Sequence, residues 1–259
     1  MSAFLQVQNI YKDYGPVKVL RDITFDVTEG EGLAIIGPNG AGKTTLFRVL
    51  TGEAEANAGT VLFRGEDVTK LPASARVGLG FSRTFQVSRV FLELTALENL
   101  IAAIEARYRM ERRATGQWYS WSPDRRVVAE AVERLADFGL ADLRFNETRN
   151  LSHGDKKRLE LAVALALEPH TLMLDEPTAG MSPPERQRTI ELISRVKKER
   201  SLTMLLTEHE MDVVYGLASR ILVMNYGELI AQGTAEEVRS NPLVQEVYLG
   251  KEITHAGGE

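Results

Sequence analysis

Residues 32–52 read GLAIIGPNGAGKTTLFRVLTG, and this stretch limits the folds open to the chain more than any other. A short apolar strand, Gly32–Gly37, runs directly into a glycine-rich turn. The turn gives way to a helical pattern with Gly52 placed as its C-cap. Within it, Gly37–Thr44 (GPNGAGKT) fits G-x-x-x-x-G-K-[ST]. Gly37, Gly40 and Gly42 let the backbone turn tightly and aim N–H groups at phosphate oxygens, with Pro38, Asn39, Ala41 and Thr45 completing the cradle. Lys43 then reaches the outer phosphates and Thr44 offers a hydroxyl to Mg²⁺. A strand, a phosphate-binding turn and a helix in that order predict an α/β fold with a parallel sheet.

A second acidic element supports the first. TLMLDEP, Thr171–Pro177, is an apolar strand ending in two carboxylates. Beside a phosphate cradle, the first of these, Asp175, is placed to complete a Mg²⁺ shell. Glu176 is placed to polarise a water for in-line attack on a terminal phosphate. His209, in LLTEHEMD, closes another strand and opens a helix, at the sheet edge where ligands bind in open α/β folds. LSHGDKKRLE, beginning at Leu151, reads two ways: Ser152 with Asp155 is an ordinary helix cap, and Ser152 with Gly154 is also a seat for a phosphate. Gln86, in FSRTFQ, carries no signal of its own.

Along the rest of the chain, strands are expected at 4–10 and 18–28, and a hairpin over Gly59–Thr69 that turns at Arg64–Asp67. Thr95 and Glu98 form a capping box that opens a helix, and a second helical pattern covers Arg126–Gly139. Residues 91–150 therefore read as a helical insertion. Beyond it, helices at Lys156–Leu167, Pro184–Glu199 and Glu210–Ala218 alternate with strands at Thr171–Leu174 and Leu202–Thr207. Two more strands, RILVMNYG and ELIAQG, and a short helix follow. The polar stretch Arg107–Arg126 holds both tryptophans, Trp118 and Trp121, and six arginines against Glu111 and Asp124. It reads as a solvated connector, or as an interface where Trp and Arg meet a partner or anionic headgroups.

Composition narrows the function. With 31 basic and 36 acidic residues and a net charge of −5, no broad footprint for nucleic acid is expected. The absence of cysteine excludes disulfides and thiolate metal sites. The longest near-apolar run, LAVALAL, is far short of the roughly 20 residues of a membrane span. A soluble intracellular protein is expected, with any membrane role exercised through partners.

Taken in order and spacing, Gly37–Thr44, Gln86, LSHGD, LMLDEP and His209 resemble an ATP-binding-cassette ATPase over essentially the whole chain. The resemblance implies a P-loop fold with a RecA-like parallel sheet core, an antiparallel β subdomain and a helical signature subdomain. It divides the chain into 1–90, 91–165 and 166–259, with the helical subdomain in the middle. It implies ATP and Mg²⁺, with Thr44, Gln86 and Asp175 around the metal, Glu176 as catalytic base, and His209 on the γ-phosphate. Tyr14 matches the aromatic that stacks on adenine. Ser152, His153, Gly154 and Asp155 would face the ATP held by a second ATPase subunit, head to tail.

Two departures stand out: Asp155 where a glutamine is common, and Ser182 where many relatives carry an aspartate that contacts the neighbouring subunit. SRTFQVSRVFLELTALENLIAA and the ending NPLVQEVYLGKE resemble importers of branched-chain amino acids, a subfamily that includes urea and short-amide importers. Such a system implies two integral membrane permease subunits, a periplasmic binding protein, and a place on the cytoplasmic face of a bacterial inner membrane. A lipopolysaccharide-exporter ATPase shares the YLG ending. The 107 residues between Thr44 and Ser152 are too few for the long coiled coil of a DNA-repair relative.

Overall fold

The computed structural model describes residues 3–83, 90–111 and 123–247. In chain order the elements are β1 (Leu5–Tyr14), β2 (Val17–Val27), β3 (Gly32–Ile36), α1 (Lys43–Thr51), β4 (Ala58–Phe63), β5 (Glu66–Asp67) and α2 (Ala73–Gly78). Next come β6 (Phe81–Arg83), α3 (Ala96–Met110), α4 (Arg125–Asp137), α5 (His153–Ala166) and β7 (Thr171–Asp175). Then follow α6 (Pro183–Arg200), β8 (Thr203–Thr207), α7 (Met211–Leu217), β9 (Arg220–Asn225), β10 (Glu228–Gly233) and α8 (Ala235–Ser240), with residues 242–247 also helical. They group into two compact units, one of residues 1–76 and 194–259, the other of residues 77–193.

The first unit holds an antiparallel sheet, ordered β2-β1-β4-β5, and the strands β10-β9-β3-β8. β3 pairs in parallel with both β8 and β9 and is buried along its whole length. Continuous burial on both faces explains why GLAII reads as an unbroken apolar run and not as an alternation. β1 runs further than the expected strand at 4–10. Its register slips between Val7 and Ile10 and again to Lys12, with Asn9 at φ +50°. Those bulges break the two-residue period on which a sequence reading relies.

One buried cation fastens the helix that follows the phosphate cradle. Arg76 is 1% exposed. Its guanidinium donates to the carbonyls of Val49 (2.8 Å) and Leu50 (2.6 Å) in the last turn of α1, and to Thr69 (2.8 Å) and Leu71 (3.0 Å). Helix C-termini leave carbonyls without partners, and here an arginine satisfies them. Burial pushes the guanidinium down to about 10, so it stays charged at neutral pH. Arg76→Met is expected to destabilise the protein by about 3 kcal/mol, because it strands buried carbonyls. A urea-denaturation midpoint that does not move would refute this.

In the second unit β6 pairs in parallel with β7. α3 and α5 carry buried apolar faces, Leu100 and Ile104 on one and Leu159 and Leu165 on the other. α3 opens with the expected capping box: Thr95 accepts from the Glu98 amide at 3.2 Å and Glu98 accepts from the Thr95 amide at 2.7 Å. Arg107 is not part of a solvated connector. It lies in α3, 3% exposed, and donates to Glu130 of α4 at 2.8 Å and to the Ala166 carbonyl at 3.0 Å. Arg134 binds the other oxygen of Glu130 at 2.8 Å. Burial pushes the Glu130 carboxyl up, but the bonds from these two arginines outweigh it and hold it below the usual carboxylate range. Arg112, Arg113, Trp118 and Trp121 lie outside the described residues.

Candidate active site

The cradle leaves the carboxyl end of β3. Gly37 stands at φ +152°, and a Cβ there would sit 2.1 Å from the Met224 carbonyl of β9. Only glycine fits that approach. Gly42, at φ +101°, is the N-cap of α1 and lends no side chain to the first turn, which also holds no acidic residue. An uncapped helix start without a carboxylate presents its N–H groups to an anion. Lys43 is 8% exposed and arches back over its own loop, its ammonium donating to the Gly37 carbonyl at 2.7 Å and the Pro38 carbonyl at 3.1 Å. Thr44 is exposed and Thr45 half-buried in the first turn of α1, while Asn39 and Gly40 are exposed on the loop. Pro38, Asn39, Gly40 and Ala41 also line a 480 Å³ cleft with Asn225 and Tyr226.

His209 shares this edge. Ile35 of β3 is in register with Thr207 of β8, so Gly37 and His209 each lie two residues past a paired position. His209 is exposed, and its backbone N–H donates to its neighbour Glu208 at 3.1 Å. Tyr14 ends β1 with its ring 45% exposed and the Lys12 ammonium 4.9 Å from the ring centroid. Gln86 lies outside the described residues.

The second unit carries the carboxylates. Asp175 is the last residue of β7 and is 2% exposed. Arg83, at the end of β6, donates to its Oδ2 at 2.8 Å, with both side chains nearly fully buried. In the sequence this arginine is marked only by its place three residues before Gln86 in FSRTFQ. Glu176 adopts φ +48°, the left-handed region, immediately before Pro177. A non-glycine residue held there costs on the order of 1–3 kcal/mol and persists only where the surrounding structure over-determines the backbone. The Ala179 amide donates back to the Glu176 carbonyl at 3.2 Å and closes the turn.

The same unit brings the LSHGD segment against the loop after Glu176. His153 Nε2 is 3.0 Å from the Ala179 carbonyl, and a Cβ on Gly154 would meet Glu185 at 3.0 Å. Ser152 is the N-cap of α5: its hydroxyl accepts from the Asp155 amide at 3.1 Å and donates to the Asp155 carboxylate at 2.7 Å. The expected cap is present, but it is one-sided. Asp155 is one methylene shorter than glutamate and bonds the Ser152 hydroxyl and Arg158, not the Ser152 amide. Ser182 is likewise used within the chain. It donates to Glu185 through its hydroxyl (2.6 Å) and its amide (2.9 Å), and these bonds hold the Glu185 carboxyl below its usual range.

The predicted metal donors are all hard oxygens, the Thr44 hydroxyl, the Asp175 carboxylate and the side-chain oxygen of Gln86, which lies outside the described residues, and this chemistry fits Mg²⁺. Among the described residues no group of three or more His, Cys, Asp or Glu could hold a metal by itself. Mg²⁺ commonly binds one or two protein oxygens together with a substrate's phosphates.

A phosphate cradle at the end of a buried parallel strand, with an acidic pair closing another, defines a P-loop nucleotide-binding ATPase. The chain belongs to the ABC transporter family of ATP-hydrolysing cassettes, whose profile matches residues 20–179. A second profile, the branched-chain amino acid ATP-binding cassette transporter C-terminal segment, matches residues 228–254. LivG of Salmonella typhimurium, a high-affinity branched-chain amino acid transport ATP-binding protein, is 37% identical over 95% of this chain and 98% of its own. LptB of Acidithiobacillus ferridurans, a lipopolysaccharide export ATP-binding protein, is 32% identical over 98% of this chain and 99% of its own. Among solved structures, the ADP conformation of the cassette MJ1267 superposes with a TM-score of 0.82 at 31% identity, covering 96% of this chain and all of that one.

Proposed function

We propose that this chain is the ATP-hydrolysing motor subunit of a bacterial importer for branched-chain amino acids. The observation that carries the reading is the likeness to LivG along nearly the whole chain, joined by the branched-chain profile over 228–254. The 32% likeness to LptB is lower, and the branched-chain profile favours the importer over the exporter.

The residues divide the work. Lys43 and the N–H groups of Gly37–Thr45 bind the phosphates, Thr44 and Asp175 hold Mg²⁺ with Gln86, and Tyr14 stacks on adenine. Mg²⁺ held there by Thr44, Gln86 and Asp175 would supply positive charge against the phosphates. Glu176 takes the proton of the attacking water and His209 steadies the γ-phosphate. Ser152, His153, Gly154 and Asp155 face the ATP of a second cassette, whether a second copy or a sister chain. The N-terminal end of the α5 dipole, where Ser152 and Gly154 stand, supports this role.

No helix among the described residues is long and apolar enough to cross a membrane. The subunit works at the cytoplasmic face of the inner membrane through two permease subunits, with a periplasmic protein delivering substrate. Two exposed aromatic side chains on paired segments support permease docking. Phe145 is 69% and Phe91 61% exposed, on segments joined by bonds from Arg149 to Leu92 and from Leu97 to Arg144. Deletion of this chain in its host is expected to abolish uptake of radiolabelled leucine, and wild type but not Glu176→Gln is expected to restore it. Intact leucine uptake with loss of urea or short-amide uptake would move the substrate to that branch of the subfamily.

A further inference from the structure

We infer that Arg83 is a positioning residue of the Mg²⁺ site, holding the Asp175 carboxylate in the orientation from which it serves the metal. This rests on the proposal that Asp175 belongs to that site. The pairing of β6 with β7 sets Arg83 opposite Met173, two residues before Asp175. Paired residues share a face of a sheet, as do residues two apart on one strand. Arg83, Met173 and Asp175 therefore lie on one face, and a long side chain at Arg83 spans the diagonal to Asp175. That diagonal is the 2.8 Å contact from Nη2 to Oδ2.

An exposed pair at this distance would be a mobile surface contact of little consequence. Here the side chains are 6% and 3% exposed, so each is the other's counter-charge in a site poor in water. A cation that only blocked the carboxylate would have to swing away when Mg²⁺ arrives. Arg83 sits on a strand with its side chain enclosed, and leaving would strand a guanidinium in the interior. It therefore stays. A guanidinium held on Oδ2 fixes the carboxylate plane and so the direction of Oδ1, as partners behind a metal ligand commonly do.

The test is binding of a fluorescent ADP analogue to the whole chain, first in EDTA and then across a Mg²⁺ titration, for wild type, Arg83→Met, Arg83→Lys and Asp175→Asn. Arg83→Met is expected to keep metal-free affinity within about twofold and to raise the Mg²⁺ concentration for half-saturation by about 10–100-fold. Arg83→Lys keeps the charge but loses the planar fork, and is expected to fall between wild type and Arg83→Met. Asp175→Asn is expected to shift the Mg²⁺ dependence at least as far.

If Asp175→Asn shifts the dependence and neither arginine variant does, the inference is overturned. Tighter Mg²⁺ binding in Arg83→Met would overturn it too, by marking Arg83 as a competitor of the metal. Equal loss of affinity with and without Mg²⁺ would reduce Arg83 to a structural role. An unshifted Asp175→Asn would instead remove the assignment of Asp175 itself. Should Arg83→Met fail to fold, Arg83→Lys decides, because a wild-type Mg²⁺ profile in that variant refutes positioning by the fork.

Discussion

Glu176→Gln is expected to bind ATP normally, to hydrolyse it about 100- to 10,000-fold more slowly, and to accumulate as an ATP-held pair of chains. The rate loss is that of removing a general base from the reacting water. Glutamine keeps nearly the shape of glutamate and leaves the φ +48° backbone of residue 176 in place, so the variant tests chemistry and not folding. Light-scattering chromatography with ATP and Mg²⁺ reads the pairing directly. On the proposed role of LSHGD, the double variant Glu176→Gln/Ser152→Arg is expected to stay monomeric, because an arginine at the N-cap of α5 would occupy the space proposed for the second cassette's phosphate. Ser152→Ala in the same background separates that effect from loss of the cap, which by itself costs about 1 kcal/mol. Equal pairing in single and double variants would reduce LSHGD to a helix cap. Monomers in both, with ATP bound, would point to a sister subunit as the natural partner.

Gly37→Ala is expected to be the most damaging small substitution in the cradle. A methyl group there would lie 2.1 Å from the Met224 carbonyl, a backbone atom of β9 that cannot turn aside, and φ +152° is itself closed to alanine. Loss of more than about 3 kcal/mol of stability is expected, with loss of nucleotide binding. Gly40→Ala is the control. It has φ +82° but nothing within 4 Å of an added Cβ, so only the backbone term of about 1–2 kcal/mol applies. Denaturant midpoints and binding of an ADP analogue distinguish the two. Equal effects would mean that the approach to β9 is not what demands glycine at 37.

The legible part of this protein is the part whose physics is local. GPNGAGKT announces a cradle because the residues that make it are consecutive. Thr95 with Glu98 announces a helix start because a cap needs only its own first turn. The hairpin at Arg64 and Gly65 is legible for the same reason, with both residues at positive φ between β4 and β5. The extension of β1 to Tyr14 was not legible, since its bulges at Val7–Lys12 take their sense from pairing with β2. Arg107 looked like one of a run of solvated arginines. Only the packing of α3 on α4 and the Ala166 carbonyl make it an interior counter-ion.

The sequence by itself determined the class of chemistry: a phosphate cradle, two carboxylates after an apolar strand, a histidine at a strand end, and no cysteine. These follow from residue types at fixed short spacings, which survive without knowledge of the fold. The tertiary structure decided how those groups are held. It set Arg83 on Asp175, Arg76 on the end of α1, His153 against Ala179, and Gly37 against Met224. Each joins residues far apart in the chain, and such pairings are fixed by strand register and burial, which no local pattern encodes.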